Sequence, residues 1–311
     1  MVTLMVKRFG FMIFTMIVVS VILFLLLETD LTGDPAIRVL GQFSNEEQRE
    51  MWREQHGYNQ PVMVRYVKWL GNFATGDLGE SIRFKGPVAD VMLPRLWNTA
   101  ILGFWTFAIM IPLSLTLGVL SGMKEGSKLD RSISVFGILT TSVPEFASAV
   151  IFSSLFVFGL KWLPGTSSMS GGFEFKQLIL PAMVLIVYDF GYVARMTRAS
   201  MAEVMTSQYV RTAVLKGLPY KSVIVKHALR NALIAPFTVI MLQINWLLSG
   251  VIVVEFFFAY KGFGALILEA SLNNDIALLE ACAMVAVCVA VTTQTLADIG
   301  YTFLNPRIRF S

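Results

Sequence analysis

The run "FGFMIFTMIVVSVILFLLL" (Phe9–Leu27) carries no charge over 19 residues. A bilayer core about 30 Å thick takes about 20 predominantly apolar helical residues to cross, so this segment alone places the chain in a membrane. Lys7 and Arg8 stand before it, as basic residues stand before a secretory signal. Its length, and the lack of an A-x-A-like site after Leu27, predict an uncleaved anchor.

Five further runs follow: Leu96–Met123; Ser132–Leu160, with Glu145 its only charge; Gln177–Ala194, with Asp189 inside; Asn231–Val254; and Ala281 to about Asn305, with Asp298 inside. The 311-residue chain as a whole agrees. It is 55% hydrophobic and 15% charged, with a mean hydropathy of +0.66, which excludes an ordinary soluble domain. In lipid, backbone groups must be satisfied within each segment, which leaves helices. The expected fold is an all-α membrane protein of six transmembrane helices.

Charge sets the expected orientation, since Lys and Arg concentrate in cytoplasmic loops. With the N-terminus inside, the cytoplasmic parts hold Lys7, Arg8, Lys124, Lys128, Arg131, seven Lys/Arg from Arg195 to Arg230, Arg307 and Arg309. That is 14 of the 25 Lys/Arg, against three acids, Glu125, Asp130 and Glu203. Both termini are expected in the cytoplasm. Cys282 and Cys288 lie six apart in the last run on different faces, which predicts small core residues and no disulfide between them.

Between the first two runs lies a mostly polar external segment with three helix or turn signals, "SNEEQREMWREQHG", "QPVMVRYVKWLG" and "TGDLGES". Ser44 followed by Glu46 and Glu47 resembles a helix start, Val62, Tyr66 and Leu70 share a helical face, and Gly76, Asp77 and Gly79 form a turn. "KEGSKLD" reads as a tight cytoplasmic turn, "KWLPGTSSMSGGFEFK" as an external loop, and "YKGFGALILEASLNND" as an external re-entry. The expected division is an N-terminal helix (1–28), an external subdomain (29–95) and a five-helix core (96–311) containing a cytoplasmic loop (195–231).

That loop continues as "SQYVRTAVLKGLPYKSVIVKHALRNALIAP" (Ser207–Pro236). Ser207 suits an N-cap, Gly217 an αL stop, and Pro219 lies just beyond it. Val210, Ala213, Val214 and Gly217 fall at i, i+3, i+4 and i+7, which predicts one small apolar face, with Arg211 and Lys216 elsewhere on the helix. Lys221, Lys226, His227 and Arg230 face water or headgroups. An interfacial helix held by anionic lipid is the plainer reading. Small residues at the helix centre favour a protein groove instead.

These residues carry a resemblance. "YVRTAVLKGL" (Tyr209–Leu218) followed by "HALRNAL" is similar to the EAA loop of ABC-importer permeases, in the form found in dipeptide and oligopeptide permeases. So are "GDPA" at Gly33, "QPVMVRYVKWLG", "GDLGES", "RMTRASMAEVM" at Arg195, "VVEFFFAYKGFG" at Val253 and "LNPRIR" at Leu304. The external segment resembles that of the first of two paired permeases.

The resemblance implies a type I importer in the bacterial or archaeal inner membrane. A second permease subunit, forming a heterodimer, and two ABC ATPases would be its partners, with an external solute-binding protein delivering substrate. It implies that Tyr209, Val210, Arg211, Thr212, Ala213, Val214, Lys216 and Gly217 form the ATPase-coupling segment, with Arg211 and Thr212 in place of the family's Glu and Ala. ATP and Mg2+ would belong to the partners, with no cofactor or metal in this chain. Related systems carry dipeptides, oligopeptides, nickel chelates, glutathione, opines and oligosaccharides.

No chemistry is expected here. The sequence has no G-x-x-x-x-G-K-[ST] phosphate loop and no H-E-x-x-H, and nothing in it suggests nucleic-acid binding. Of its two histidines, His227 is expected to hydrogen-bond across the loop and His56 to lie on the surface. Asp298 is expected to meet headgroup or loop residues. Glu145 and Asp189 are the candidate substrate-path residues, since an ionisable group at membrane depth faces a cavity or a partner. They would favour a cationic or amine-bearing solute, or pair with a basic residue of this bundle or of the partner permease. The alternatives are a membrane-embedded enzyme, for which no nucleophile and base grouping exists, and an autonomous proton-coupled transporter using Glu145 and Asp189.

Overall fold

A computed structural model describes residues 2–28, 34–169 and 172–304. The chain forms two compact units, Met1–Asn98 with Gly262–Thr295, and Thr99–Lys261 with Leu296–Ser311. These do not follow the expected 1–28, 29–95 and 96–311 division, because Gly262–Thr295 cluster with the N-terminal third, while Leu296–Ser311 cluster with the middle of the chain.

The first unit opens with α1 (Val2–Glu28). α2 (Pro35–Leu40) begins with Pro at its first position, and Asp34 Oδ1 accepts the Ala36 N–H at 2.9 Å, a side-chain cap. α3 (Glu46–Gln55) starts one residue later than Ser44 suggested. Asn45 is its cap, exchanging hydrogen bonds with Gln48 at 2.8 and 3.0 Å. The Ser44 hydroxyl instead donates to the Gly41 carbonyl at 2.7 Å.

α4 (Val62–Thr75) packs on α1 through Tyr66 and Trp69, whose rings lie 5.5 and 5.7 Å from the ring of the buried Phe24. Val62, expected on that face, is exposed. A short hairpin follows, which no apolar alternation announced: β1 (Glu80–Ser81) pairs antiparallel with β2 (Gly86–Pro87). The unit's core joins Val88 and Met92 of α5 (Val88–Met123) to Phe263 and Leu266 of α13 (Phe263–Leu272) and to Leu278 and Cys282 of α14 (Ile276–Leu304). Asp275 ties it together. Its fully buried Oδ2 accepts Ser81 Oγ at 2.5 Å and the Arg83 N–H at 3.1 Å, and its Oδ1 accepts the Leu278 N–H at 3.3 Å.

In the second unit the expected third span is not one straight helix. α6 (Lys128–Ser142) and α7 (Glu145–Ser153), which runs on into a π-helical turn at Ser154–Gly159, meet at 102°. Pro144 forces this, since the residue before a proline leaves the α region, and Val143 is extended at φ −95°, ψ 121°. α8 (Phe175–Met205) runs past the expected end at Ala194. α9 (Gln208–Leu215), α10 (Tyr220–Ser222), a π-helical turn (Val223–Ala228) and α11 (Leu229–Ala232) lead into α12 (Ile234–Phe257), with a 47° bend between Ala232 and Ile234. The core gathers Leu102, Leu178, Leu185, Val251, Val254 and Phe258. Buried Glu255 accepts a hydrogen bond from Thr99 Oγ1 at 2.5 Å.

Four helices among the described residues are long and apolar enough to span a bilayer: Val6–Glu28, Val88–Met123, Phe175–Met205 and Ile276–Ala297. The number rises to six when each bent pair counts as one span. Cys282 is buried and Cys288 partly so, both as free thiols. The side chain of Asp298 and most of "LNPRIR" lie outside the described residues.

Candidate functional site: the loop after α8 and two acids of the core

α8 passes to α9 through Thr206 and Ser207 alone. Ser207 has the extended backbone of an N-cap, yet its hydroxyl turns back to donate to the Val204 carbonyl at 2.6 Å, so it does not cap α9. At the other end Gly217 has φ +73°. Its N–H donates to the Val214 carbonyl at 2.9 Å and the next N–H, of Leu218, to the Ala213 carbonyl at 3.4 Å, the two-bond stop that favours glycine. No atom lies within 4 Å of a Cβ placed there. Backbone conformation, not crowding, therefore calls for glycine at 217.

The expected small docking face divides in two. Val210 and Ala213 are 2% and 4% exposed, packed with Met201 of α8 and with Val223, Ile224, Ala228 and Ala232 of the following turns. They anchor α9 to its own chain. The outward face consists of Tyr209, Arg211, Thr212, Val214, Leu215 and Lys216, with Val214 and Leu215 52% and 79% exposed. The periodicity marked the apolar face, but it could not say that this chain itself covers it. Tyr209 Oη accepts a hydrogen bond from Asn231 Nδ2 at 3.0 Å, tying α9 to α11.

Lys221, Lys226, His227 and Arg230 are exposed as expected. His227 forms no bond across the loop among the described residues, against its expected role. His56 lies exposed at the end of α3, stacked on Trp52 with ring centres 4.3 Å apart. With five Lys/Arg between Arg211 and Arg230 and no acid between Val204 and Val254, the outward surface is basic and apolar together.

Glu145 and Asp189 lie on α7 and α8, which pack against each other in the second unit. Asp189 is fully buried on α8. Its Oδ1 accepts a hydrogen bond from Gln243 Nε2 of α12 at 2.5 Å, while its Oδ2 has no partner among the described residues. Glu145 opens α7 at the Pro144 break and remains partly exposed. Neither acid pairs with a Lys or Arg among the described residues, so the expected basic partner within the bundle is absent there. An amide takes its place for Asp189.

Sequence reading missed a second polar centre, Asp130 and Arg198. Asp130 was read as one acid of a basic turn. It is 3% exposed, and Arg198 of α8 grips both its oxygens at 2.9 Å. The available signal was Ser127 three residues before Asp130, a capping spacing that the structure forms at 3.1 Å.

The chain is similar to known transport proteins along its whole length. Residues 114–310 match the family model described as binding-protein-dependent transport system inner membrane component, and residues 1–100 match the model of that component's N-terminal region. A peptide transport system permease protein of Brucella abortus (strain 2308), provisionally so named, is 36% identical over the full length of both chains. The oligopeptide transport system permease protein AppB of Bacillus subtilis (strain 168) is 33% identical, covering 89% of this chain and 90% of its own length. The dipeptide transport system permease protein DppB of Alkalihalophilus pseudofirmus is 32% identical over 89% of this chain and 91% of its own. With both family models matched in chain order and these relatives aligned almost end to end, the chain belongs to the binding-protein-dependent transport system inner membrane components, the permease subunits of ABC importers.

Proposed function

We propose that this permease moves small peptides inward across the cytoplasmic membrane, driven by ATP hydrolysed with Mg2+ in two partner ATPases. The substrate reading is supported by its similarity to chains named for peptide, oligopeptide and dipeptide transport. In this reading the chain crosses the membrane six times, each bent pair serving as one span, with both termini in the cytoplasm. A second permease subunit completes a heterodimer around the path, and an external binding protein delivers the solute.

The observation that carries the coupling role is the two-sided character of α9. Its inner face is locked into its own bundle, while Val214 and Leu215 stand out among Arg211, Thr212 and Lys216. An apolar ridge rimmed by positive charge suits a partner groove with apolar walls and an acidic edge. Rotation of the ATPases on closing would reach α8 through the two-residue link, a rigid-body transition between discrete states.

Purification of the tagged complex in mild detergent tests this. Leu215→Asp is expected to lose the copurifying ATPase subunits, by about 2 kcal/mol of docking energy or more, the scale of an interface hot spot, while retaining the second permease. ATPase subunits that remain bound to Leu215→Asp would remove α9 as the docking helix. Transport by a solitary chain without ATP would overturn the importer reading.

A further inference from the structure

Three helices of the second unit meet at backbone contact beside the coupling loop. A Cβ at Gly118 of α5 would lie 2.5 Å from Thr197 Cβ and 2.6 Å from the Ala194 carbonyl oxygen, and one at Gly122 would lie 2.6 Å from the Arg198 carbonyl oxygen. α5 and α8 are therefore pressed together with no room for a side chain between them. Gly191 of α8 meets Gly137 of α6 in the same way. Packed interfaces of this kind transmit displacement, having little free volume to absorb it.

One carboxylate ties the three together. Asp130, in the first turn of α6, accepts Arg198 Nε on Oδ1 and Arg198 Nη2 on Oδ2, both at 2.9 Å. Its Oδ1 also accepts Ser121 Oγ of α5 at 2.5 Å, and its Oδ2 the Gly126 N–H of the turn at 2.8 Å. The side chain is 4% exposed. A buried ion pair is a weak source of net stability, because desolvation offsets attraction. A planar guanidinium fork holding a fully satisfied carboxylate does set distance and angle between its helices. α9 rests on this same block, packing against Met201 of α8 with Val119 and Met123 of α5 alongside.

We propose that Asp130 and Arg198 are positioning residues for transport, making α5, α6 and α8 move as one body when α9 is displaced. The pair touches neither solute nor nucleotide in this account. It converts a push on one short helix into a movement of three. The inference rests on α9 being the ATPase-facing helix, so its test keeps the two ideas apart.

The complex with its ATPases and second permease, reconstituted in liposomes with its binding protein, is assayed for ATP hydrolysis and for uptake of a labelled pool of short peptides. Asp130→Asn is expected to keep ATP hydrolysis near wild type while uptake per ATP falls about tenfold, a coupling loss of ordinary size for linked sites. Arg198→Lys keeps the charge but loses the fork, and is expected to be uncoupled to a similar degree. Wild-type uptake per ATP in Asp130→Asn or in Arg198→Lys would overturn the proposal, as would a proportional fall of uptake and hydrolysis.

A second readout needs no solute. A cysteine at Ser142, at the far end of α6, is labelled in a Cys282→Ala/Cys288→Ala background with and without ATP-vanadate. The rate is expected to change on trapping, and Asp130→Asn is expected to abolish that change while a cysteine at Thr212 still responds. A response at Ser142 that survives the substitution refutes the three-helix block. Should Asp130→Asn not assemble, Ser121→Ala removes a single bond to the carboxylate, and an unchanged Ser142 response in it would count equally against the block. Release of ATPases from Leu215→Asp reports separately on α9.

Discussion

Asp34 shows how a single side chain can hold part of the external segment. It caps α2 and pairs with the Arg53 guanidinium of α3, which is also 3.1 Å from Glu46. Burial works against the Asp34 carboxylate, but the Arg53 partner and the Ala36 amide outweigh it and hold its carboxyl below the ordinary 3.8. A depressed acid contributes stability that is present above its unfolded value and lost as pH falls through its folded one. Hydrogen exchange of α2 and α3 amides, corrected for the intrinsic rate, is therefore expected to lose protection as pH falls below 3.8. Asp34→Asn, which cannot titrate, is expected to flatten that dependence, and Asp34→Ala to cost about 1 kcal/mol as a lost cap. The same residue-scale chemistry explains why Ser44 is not the cap of α3 and why Ser207, at the N-cap position of α9, makes no side-chain bond to it. Ser44 and Ser207 are good capping types, yet at α3 Asn45 stands one residue nearer the helix, and at α9 the Ser207 hydroxyl finds the Val204 carbonyl first.

Between elements, the contact of α6 with α8 depends on the absence of a side chain. A Cβ at Gly191 would sit 2.1 Å from the Gly137 carbonyl oxygen, a backbone atom that cannot rotate away. Gly191→Ala is accordingly expected to separate the helices and to destabilise the chain by about 1–3 kcal/mol, as overpacking does. Gly217→Ala makes the contrast. It has open space but φ +73°, so only the left-handed strain of about 1–2 kcal/mol applies, and the effect should be confined to the loop around α9. Thermal unfolding in detergent with hydrogen exchange distinguishes the two. An unperturbed α6–α8 contact in Gly191→Ala would show that the backbones do not need this approach. Helical periodicity identified α9 as a helix with an apolar face. It was silent on Pro144 as a 102° corner because an apolar count over Ser132–Leu160 does not register direction.

On the scale of the whole permease, the two acids divide by burial. Asp189 is enclosed in the second unit, whereas Glu145 stands partly open at the α6–α7 corner. In the proposed importer Glu145 is then the residue available to a passing α-ammonium group. Glu145→Gln is expected to reduce uptake of free-amine peptides relative to N-acetylated ones roughly fivefold, the upper range for a partly exposed charge pair. Asp189→Asn is expected to alter stability before selectivity. Competition uptake with the two peptide classes decides it: an unchanged ratio in Glu145→Gln removes charge selection at this position. By itself the sequence determined membrane residence, helical class, the loop at Ser207–Asn231 and the family, because apolar run length, helix-stop residues and contiguous motifs are local properties. Only the tertiary structure decided which face of α9 is free, that Asp189 is paired with Gln243, that Asp130 and Arg198 grip each other 68 residues apart in sequence, and that Gly262–Thr295 join the first unit. Each of these is a pairing between distant segments, and packing selects such partners from many chemically equivalent side chains.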